Sequence, residues 1–368
     1  MQYRRGLSVL LVAAIAAGCR DGATAPGAPT TAPARMDLST SWVRASPADV
    51  GMSASDLEGA TRAAAAVPHI RALLAARHGR LVAESYFGGP DSTTLFDVRS
   101  VTKSVVCALT GIAVRDGVLP GVATSIAPYL APTDTLDAVD STVTVQHLLT
   151  MTSGYEWNED SGPDYSLWIA ATDHVQYLLD RPHAAAPGVT FTYNSAAVHT
   201  LGVVLQDAAA MPLPQYAATL FAALGVGDTV GWEALDRGTV NGGAGIRLRG
   251  RDLLKFGQLF LQHGWSGDRS IVPQAWVDEA TRPRFAWRRA MGPLSRVTYG
   301  TLWWVSDDTP AAFFAWGYGG QFIYVVPSRD LVVVATTDWG GLSSDITPQA
   351  LAATVLRVIV NDVVPAAR

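Results

Sequence analysis

Apolar positions fall into strand-like runs near the two ends of the chain and into helical spacing between them. Residues 70–76 and 81–86 are apolar runs on either side of a His-Gly pair, which predicts a β-hairpin. Residues 322–326 and 331–337 form a second strand pair around a Pro-Ser-Arg-Asp turn. This order predicts an α+β protein, with a sheet built from both ends of the chain and a mostly helical insertion between them.

Helical spacing marks several further segments. The segment at residues 100–114 is nearly all apolar, which predicts a central, buried helix. Other helices are predicted at residues 53–67, 145–151, 174–179, 196–210, 215–224, 251–263 and 348–360. We therefore expect a sheet domain from residues 41–98 and 241–368, and a helical domain from residues 99–240.

The first residues have the pattern of a bacterial export signal. Arg4 and Arg5 precede an apolar run that is too short to span a bilayer as a mature helix. Residues 1–18 are therefore predicted to be a signal peptide, and the small residues before Cys19 resemble a lipobox, in which that cysteine carries lipid. Residues 19–40 then form a tether rich in Pro, Ala and Thr. The sequence predicts an exported, periplasmic, membrane-tethered lipoprotein; the alternative is an ordinary signal peptide followed by an incidental cysteine.

Composition excludes several classes of protein. Of the 368 residues, 49% are hydrophobic and 16% are charged, which supports a packed core and is unlike a disordered chain. The net charge of −5, without a basic run, argues against nucleic acid as a partner. The two cysteines, Cys19 and Cys107, are too few for a disulfide scaffold or a Cys-rich zinc site, and Cys107 is expected to be a buried apolar residue. The histidines are dispersed and no phosphate or dinucleotide loop occurs, so we expect neither metal nor cofactor.

The first chemical signal is a serine–lysine pair. The 27 basic residues include only two lysines, Lys103 and Lys255. Lys103 follows Ser100 by three positions at the start of the predicted buried helix, so the two side chains share a helix face. A lysine can assist removal of a serine proton, whereas arginine does not deprotonate in proteins. No G-x-S-x-G sequence occurs, which argues against a Ser-His-Asp nucleophile elbow.

Five stretches together resemble the serine β-lactamase and penicillin-binding-protein superfamily, in its class C-like branch. They are DVRSVTKS at 97–104, QHLLTMTSG at 146–154, FTYNS at 191–195, GGAGIRL at 242–248 running into RDLLKFG at 251–257, and GYGGQ at 317–321. The resemblance covers about residues 42–360, in the family's order. It implies a β-lactamase/transpeptidase-like fold, in which an antiparallel sheet is flanked by helices, and a serine hydrolase that acts through an acyl-enzyme on a small molecule or short peptide. The export signal described above makes this an exported hydrolase.

The resemblance also implies roles for individual residues. Ser100 is the expected nucleophile, with Lys103 and Tyr193 as proton-transfer groups, and either of the two could be the formal base. An adjacent ammonium is expected to lower the pKa of Tyr193 from its usual value of about 10. The backbone N–H groups of Ser100 and Gln321 are expected to form the oxyanion hole. Expected substrate-binding residues are Tyr155, Trp157, Ser195, Arg247, Tyr318, Gly319 and Gly320.

Two departures from the family pattern affect the choice of substrate. Ser195 stands where the tyrosine motif has asparagine, and a hydroxyl cannot present the paired groups of an amide. Serine there is similar to the carboxylesterase and 6-aminohexanoate-oligomer hydrolase branch. The strand motif aligns as Tyr318-Gly319-Gly320, without the cation that would hold a substrate carboxylate, although Arg247 or Arg249 could compensate.

Three functions follow from these patterns. The first is a serine acyl hydrolase that cleaves an ester or amide through Ser100. The second is a β-lactamase or a D-Ala-D-Ala carboxypeptidase or D-aminopeptidase, which acts on β-lactams or cell-wall peptides by the same chemistry. The third is a non-catalytic binding module with this fold, against which the intact Ser/Lys/Tyr set argues. Sequence alone does not determine the substrate.

Overall fold

A computed structural model describes residues 35–227 and 230–368 of the chain. The predicted signal peptide, the lipidation site at Cys19 and most of the predicted tether lie outside the described residues. Residues 35–368 form one compact unit. The boundaries proposed for the sheet and helical domains therefore stay predictions.

An eight-stranded sheet, in which every neighbouring pair of strands is antiparallel, forms the centre of the fold. The strand order is β2-β1-β13-β12-β11-β10-β9-β8. These strands are β1 (Ile70–Arg77), β2 (Arg80–Tyr86), β8 (Arg289–Met291), β9 (Leu294–Tyr299), β10 (Trp304–Ser306), β11 (Ala312–Gly317), β12 (Gln321–Val326) and β13 (Leu331–Thr337). The sheet joins both ends of the chain because β1 pairs with β13, with Leu74 opposite Val334.

Smaller strands lie outside this sheet. A three-stranded sheet has the order β3-β5-β4, and β6 pairs with β7. Their bounds are β3 (Phe96–Asp97), β4 (Gly231–Trp232), β5 (Ile246–Leu248), β6 (Trp265–Ser266) and β7 (Arg269–Ser270).

Helices cover the sheet and fill the middle of the chain. They are α1 (Ala54–Ala66), α2 (Val101–Arg115), α3 (Ala127–Leu130), α4 (Val145–Leu149), α5 (Asp164–Ile169), α6 (His174–Leu179), α7 (Ser195–Ala209), α8 (Leu213–Ala223), α9 (Gly250–Leu261), α10 (Gln274–Ala280), α11 (Pro348–Arg357) and α12 (Val364–Ala366). The α+β, β-lactamase/transpeptidase-like fold predicted from the sequence is therefore confirmed.

Helix α2 is the buried central helix that the sequence predicts. Its residues 101–113 are all buried, including Cys107, which is a free thiol. The carbonyl of Cys107 accepts a hydrogen bond from the indole of Trp276 at 3.1 Å, and the same ring packs against Gly111. A helix held in this way on all sides gives the residue at its N-terminus a fixed position.

Candidate active site

Ser100 stands at the N-terminus of α2 and uses its hydroxyl for no helix cap. The preceding residue, Arg99, has a φ of 48°, a left-handed conformation that is uncommon for a side chain other than glycine. This turn brings the chain from β3 into α2. Ser100 is partly exposed and lines the cavity described below, so its Oγ is available to a substrate.

Lys103 lies one helical turn further and is buried, with a relative exposure of 1%. Its Nζ donates to Ser100 Oγ at 2.8 Å, to Ser195 Oγ at 2.8 Å and to the carbonyl of Gly243 at 2.7 Å. All three donors of the ammonium form therefore have partners. The structure brings together the Ser100 and Lys103 pair predicted from helical spacing.

Burial lowers the pKa of Lys103 to about 8, because removing water disfavours the ammonium. The negative charge of Glu159 opposes this shift in the pKa, and the positive charge of Arg99 adds to it. A lysine with this pKa has a substantial neutral fraction near pH 8 and can act as a general base there.

Glu159 is a site residue that the sequence analysis missed. Its carboxylate accepts from the Ser195 backbone N–H at 2.6 Å, from Ser195 Oγ at 2.7 Å and from the indole of Trp157 at 2.7 Å. The Ser195 hydroxyl thus donates a hydrogen bond to Glu159 and accepts one from Lys103. This pair differs from an asparagine amide, because the carboxylate has no donor and the single hydroxyl proton of Ser195 is already directed to Glu159.

Sequence offered a weak signal for Glu159. It follows the family-like stretch at residues 146–154 by only a few positions, but its distance from Ser195 along the chain hid the contact. The carboxylate also lies at the first backbone N–H of α7, where a negative charge is favoured by the helix dipole.

Gly243 can be only glycine where it lies. A Cβ there would come within 2.6 Å of the Ser195 carbonyl oxygen. This close approach lets the Gly243 carbonyl reach the Lys103 ammonium.

Tyr193 is half-buried, and its ring faces the Lys103 ammonium at 4.9 Å from the ring centroid. The expectation of a lowered pKa is wrong. Burial, followed by the negative charge of Glu159, raises the pKa of Tyr193 above its usual value, and a hydrogen bond with Ser100 offsets this only in part. The phenol is thus a protonated group near the Ser100 hydroxyl.

The β11–β12 turn lies against the segment that carries the nucleophile. A Cβ at Gly317 would come within 2.2 Å of the carbonyl oxygen of Val98. Gln321 opposite Gly317 is buried, and its side chain bonds Thr337 at 2.6 Å. This places the start of β12 close to Ser100; the oxyanion hole from the two backbone N–H groups stays a prediction.

A cavity of about 660 Å³ opens above Ser100. Five of the predicted site residues line it: Ser100, Tyr193, Ser195, Tyr318 and Gly319. Its remaining walls are largely apolar, and they include aromatic rings of Tyr165, Trp304, Trp316 and Phe322. A site of this size and lining suits a small organic substrate.

Tyr155 and Trp157 do not line this cavity, which corrects their predicted role as substrate contacts. Tyr155 is buried, and its hydroxyl donates to Asp140 at 2.8 Å. Trp157 is buried and orients Glu159. Both side chains can be buried because the Tyr155 hydroxyl and the Trp157 indole N–H each have a hydrogen-bond partner in the protein.

Arg247 does not compensate for the missing strand cation either. It is exposed on β5, and it is not among the residues that line the cavity. Arg249 pairs with Asp252 at 2.7 Å and is also outside the lining. Gly320 lies behind the cavity wall, against Thr337 and Val355.

Within the described residues, one trio places possible metal ligands close together. The ligand atoms of Asp137, Asp140 and His183 lie within 4.8 Å of one another. Asp140 already accepts from Tyr155 and bonds His183 at 3.1 Å, so the trio has the contacts of a structural network.

Comparisons with known proteins agree with this geometry. The Beta-lactamase family model matches residues 63–355. No curated protein sequence matches the chain. Among solved structures, a protein assigned as a 6-aminohexanoate-dimer hydrolase from Bacillus anthracis is 18% identical, with a TM-score of 0.70 over 91% of this chain and 89% of that one.

Two further structures share the fold. EstCE1, a hydrolase with promiscuous acyltransferase activity, is 19% identical, with a TM-score of 0.64 over 82% of this chain and 98% of that one. A penicillin-binding protein from Bacillus halodurans is 18% identical, with a TM-score of 0.62 over 83% of this chain and 98% of that one. The family match spans most of the chain and includes Ser100, Lys103 and Tyr193, so this protein belongs to the β-lactamase family, within the serine β-lactamase and transpeptidase-like superfamily.

Proposed function

We propose that this chain is a serine hydrolase that cleaves an ester or amide bond through a covalent acyl-enzyme on Ser100. The observation that carries the proposal is the buried Lys103 Nζ, which lies 2.8 Å from Ser100 Oγ at the cavity floor. Its pKa of about 8 makes the neutral amine available under mild conditions.

The proposed reaction has two halves. In the first, neutral Lys103 takes the Ser100 proton while Oγ attacks the substrate carbonyl, and the leaving group departs with a proton that Tyr193 relays. In the second, water attacks the acyl-enzyme, and Ser100 regains its proton as the acid is released. The raised pKa of Tyr193 favours Lys103 as the base and suits the phenol as a proton donor.

Hydrolysis of 4-nitrophenyl butyrate by residues 35–368 tests this proposal. We expect activity in the parent that falls by at least about a thousandfold in Ser100→Ala. Ser104→Ala is the matched control, since Ser104 lies on the same helix but bonds the Leu302 carbonyl, away from the cavity. Equal activity in the parent and in Ser100→Ala would reject Ser100 as the nucleophile.

The acyl-enzyme can be observed directly. Mass spectrometry after rapid acid quench is expected to show a butyryl adduct on the peptide that contains Ser100. Hydrolysis of a chromogenic cephalosporin at a higher kcat/KM than the ester would instead favour the β-lactamase alternative. A folded protein without either activity and without an adduct would favour the non-catalytic binding module.

We also propose that the protein is exported and carries lipid on Cys19. The n-region, apolar run and small residues before the cysteine support this. Mass spectrometry of the mature protein from its own cells is expected to show a diacylated Cys19 as the first residue. Cys19→Ala is expected to move the protein from the membrane fraction to the soluble fraction. An unmodified N-terminus in the parent would contradict the proposal.

A further inference from the structure

Arg289 is a cation in the cavity wall that pairs with no anion in the described part of the chain. It lies on β8, is partly buried and lines the same cavity as Ser100. Among the residues that the structure describes, none forms a hydrogen bond or an ion pair with its guanidinium. The guanidinium carbon instead stacks 4.5 Å from the ring centroid of Trp304.

Several exposed arginines also have no partner in the part of the chain that the structure describes, but Arg289 is partly buried, and two other partly buried arginines near it are paired. Arg288, which precedes Arg289 in the chain, donates a hydrogen bond to Asp307 at 2.5 Å. Arg99, the other arginine in the cavity lining, donates to the Tyr165 hydroxyl at 3.0 Å and lies 3.7 Å from Asp97. Asp160 is an exposed acid in the same cavity lining and raises the pKa of Arg289, but the two make no ion pair within 4.0 Å.

Leaving this guanidinium unpaired has a free-energy cost. Burial lowers the pKa of Arg289, because its charge has lost part of its water, and the stacking on Trp304 returns only part of that solvation. A planar guanidinium presents paired N–H donors that match a carboxylate. An anionic group of a bound substrate would therefore find a partner already in place.

The position of Arg289 relative to the nucleophile follows from a stack of side chains. Trp304 stacks on Tyr193 with ring centroids 5.8 Å apart and planes inclined by 24°. Tyr193 in turn has the Lys103 ammonium over its ring, 4.9 Å from the centroid. A chain of contacts thus connects the Ser100–Lys103 pair, through the rings of Tyr193 and Trp304, to Arg289 in the cavity wall.

We propose that Arg289 is a carboxylate-binding subsite, and that the substrates are esters or amides with a carboxylate several bonds from the scissile carbonyl. This deepens the proposed function and rests on it. Strand β11, which ends at Gly317, and the Tyr318-Gly319-Gly320 turn after it carry no cation, and the hairpin of β8 and β9 supplies one from a different element.

Paired esters test the proposal. Mono-4-nitrophenyl glutarate carries the carboxylate on the acyl side, and 4-nitrophenyl butyrate is its neutral reference. 3-Carboxyphenyl butyrate carries the carboxylate on the leaving group, with phenyl butyrate as reference. We expect Arg289→Met to lower the ratio of kcat/KM for the anionic over the neutral ester by about tenfold or more in one of the pairs.

Arg296→Met is the matched control, because Arg296 is on the same hairpin with its side chain 60% exposed. It is expected to leave both ratios unchanged, and Arg289→Lys is expected to restore part of the loss. Unchanged ratios in Arg289→Met for both pairs would overturn the subsite.

A binding measurement separates this proposal from the proposed reaction. Calorimetric titration of glutarate into Ser100→Ala is expected to give a Kd that rises about tenfold or more when Arg289→Met is added. If Arg289→Met leaves the Kd for glutarate unchanged, the subsite is overturned even if ester hydrolysis depends on Ser100. The same effect in a protein that hydrolyses no ester would keep the subsite and reject the hydrolase.

Discussion

The two lysines of the chain lie in similar physical surroundings and in different chemical ones. Lys103 on α2 and Lys255 on α9 are both buried, and burial lowers the pKa of each. Lys255 donates to the carbonyl of Leu224 at 2.8 Å. Lys103 also reaches a carbonyl, but two of its partners are serine hydroxyls at the cavity.

This difference teaches that a depressed lysine pKa is not by itself a sign of catalysis. A peptide carbonyl has no proton to give, so Lys255 can only hold α9 to the segment after α8. The Ser100 hydroxyl has a proton and faces open space. Neighbours with transferable protons, beside a cavity, distinguish the Lys103 region.

The largest expected effect comes from removing each lysine in turn. Lys103→Met is expected to lower kcat/KM for 4-nitrophenyl butyrate by about a thousandfold or more, because the base and the hydrogen bond to Ser100 Oγ are lost. Lys255→Met, as the matched substitution, is expected to stay within about threefold of the parent. Comparable losses in the two variants would break the comparison.

Acid is expected to weaken the fold beneath the Lys103 region. His199 on α7 is fully buried beside the loop that carries Gly243, and burial, with the charge of His174, lowers its pKa to about 4. The unfolded chain therefore binds this proton more tightly than the folded one. The free energy of unfolding is therefore highest above pH 6.5, and it is expected to fall by about 3 kcal/mol as the pH falls towards 4.

Urea unfolding of the parent and of His199→Gln between pH 7 and pH 4 measures this loss. The variant is expected to show a flatter dependence of the free energy of unfolding on pH. Parallel curves for the two proteins would show that another group causes the acid sensitivity.

The smallest effect is a pair of opposite shifts in the pH profile. Parent kcat/KM is expected to rise with pH through about 8, as Lys103 loses its proton. Glu159→Gln removes a charge that raises the pKa of Lys103, so the midpoint moves to lower pH. Arg99→Met removes a charge that lowers this pKa, so the midpoint moves to higher pH.

Glu159→Gln is also expected to lower kcat/KM by about tenfold at its plateau, since Ser195 loses a charged acceptor. Ester hydrolysis across pH 6 to 10, with the Ser104→Ala variant as control, records both the midpoints and the plateaus. Shifts of the same sign in the two variants would contradict the assignment of Lys103 as the titrating base.

Sequence predicted what depends on local spacing. The Ser100–Lys103 contact follows from one turn of helix, and the burial of α2 follows from its apolar run. The strand pairs at residues 70–86 and 321–337 were predicted to within a few residues for the same reason.

Long-range placement was beyond the sequence. A tryptophan at position 157 looks the same in the sequence whether its ring contacts a substrate or a glutamate. Only the folded loop shows that it donates a hydrogen bond to Glu159. The pKa of Tyr193 was assigned the wrong direction because burial and the charge of Glu159, both set by the folded chain, raise it. Arg289 gave no signal among the many arginines of the chain, since its lack of a partner is a property of the fold.

The position of β8 at the edge of the sheet allows the substrate preference to change while the catalytic residues stay the same. Ser100, Lys103 and Gly243 are fixed by the central helix and by a backbone contact that tolerates no side chain. Arg289 lies on a three-residue strand at the free edge, which pairs with β9 alone. The three residues of β8 are only partly buried or exposed, so substitutions there can change the cavity wall without touching those contacts. Descendants of this chain can therefore exchange one substrate for another while they keep the same nucleophile.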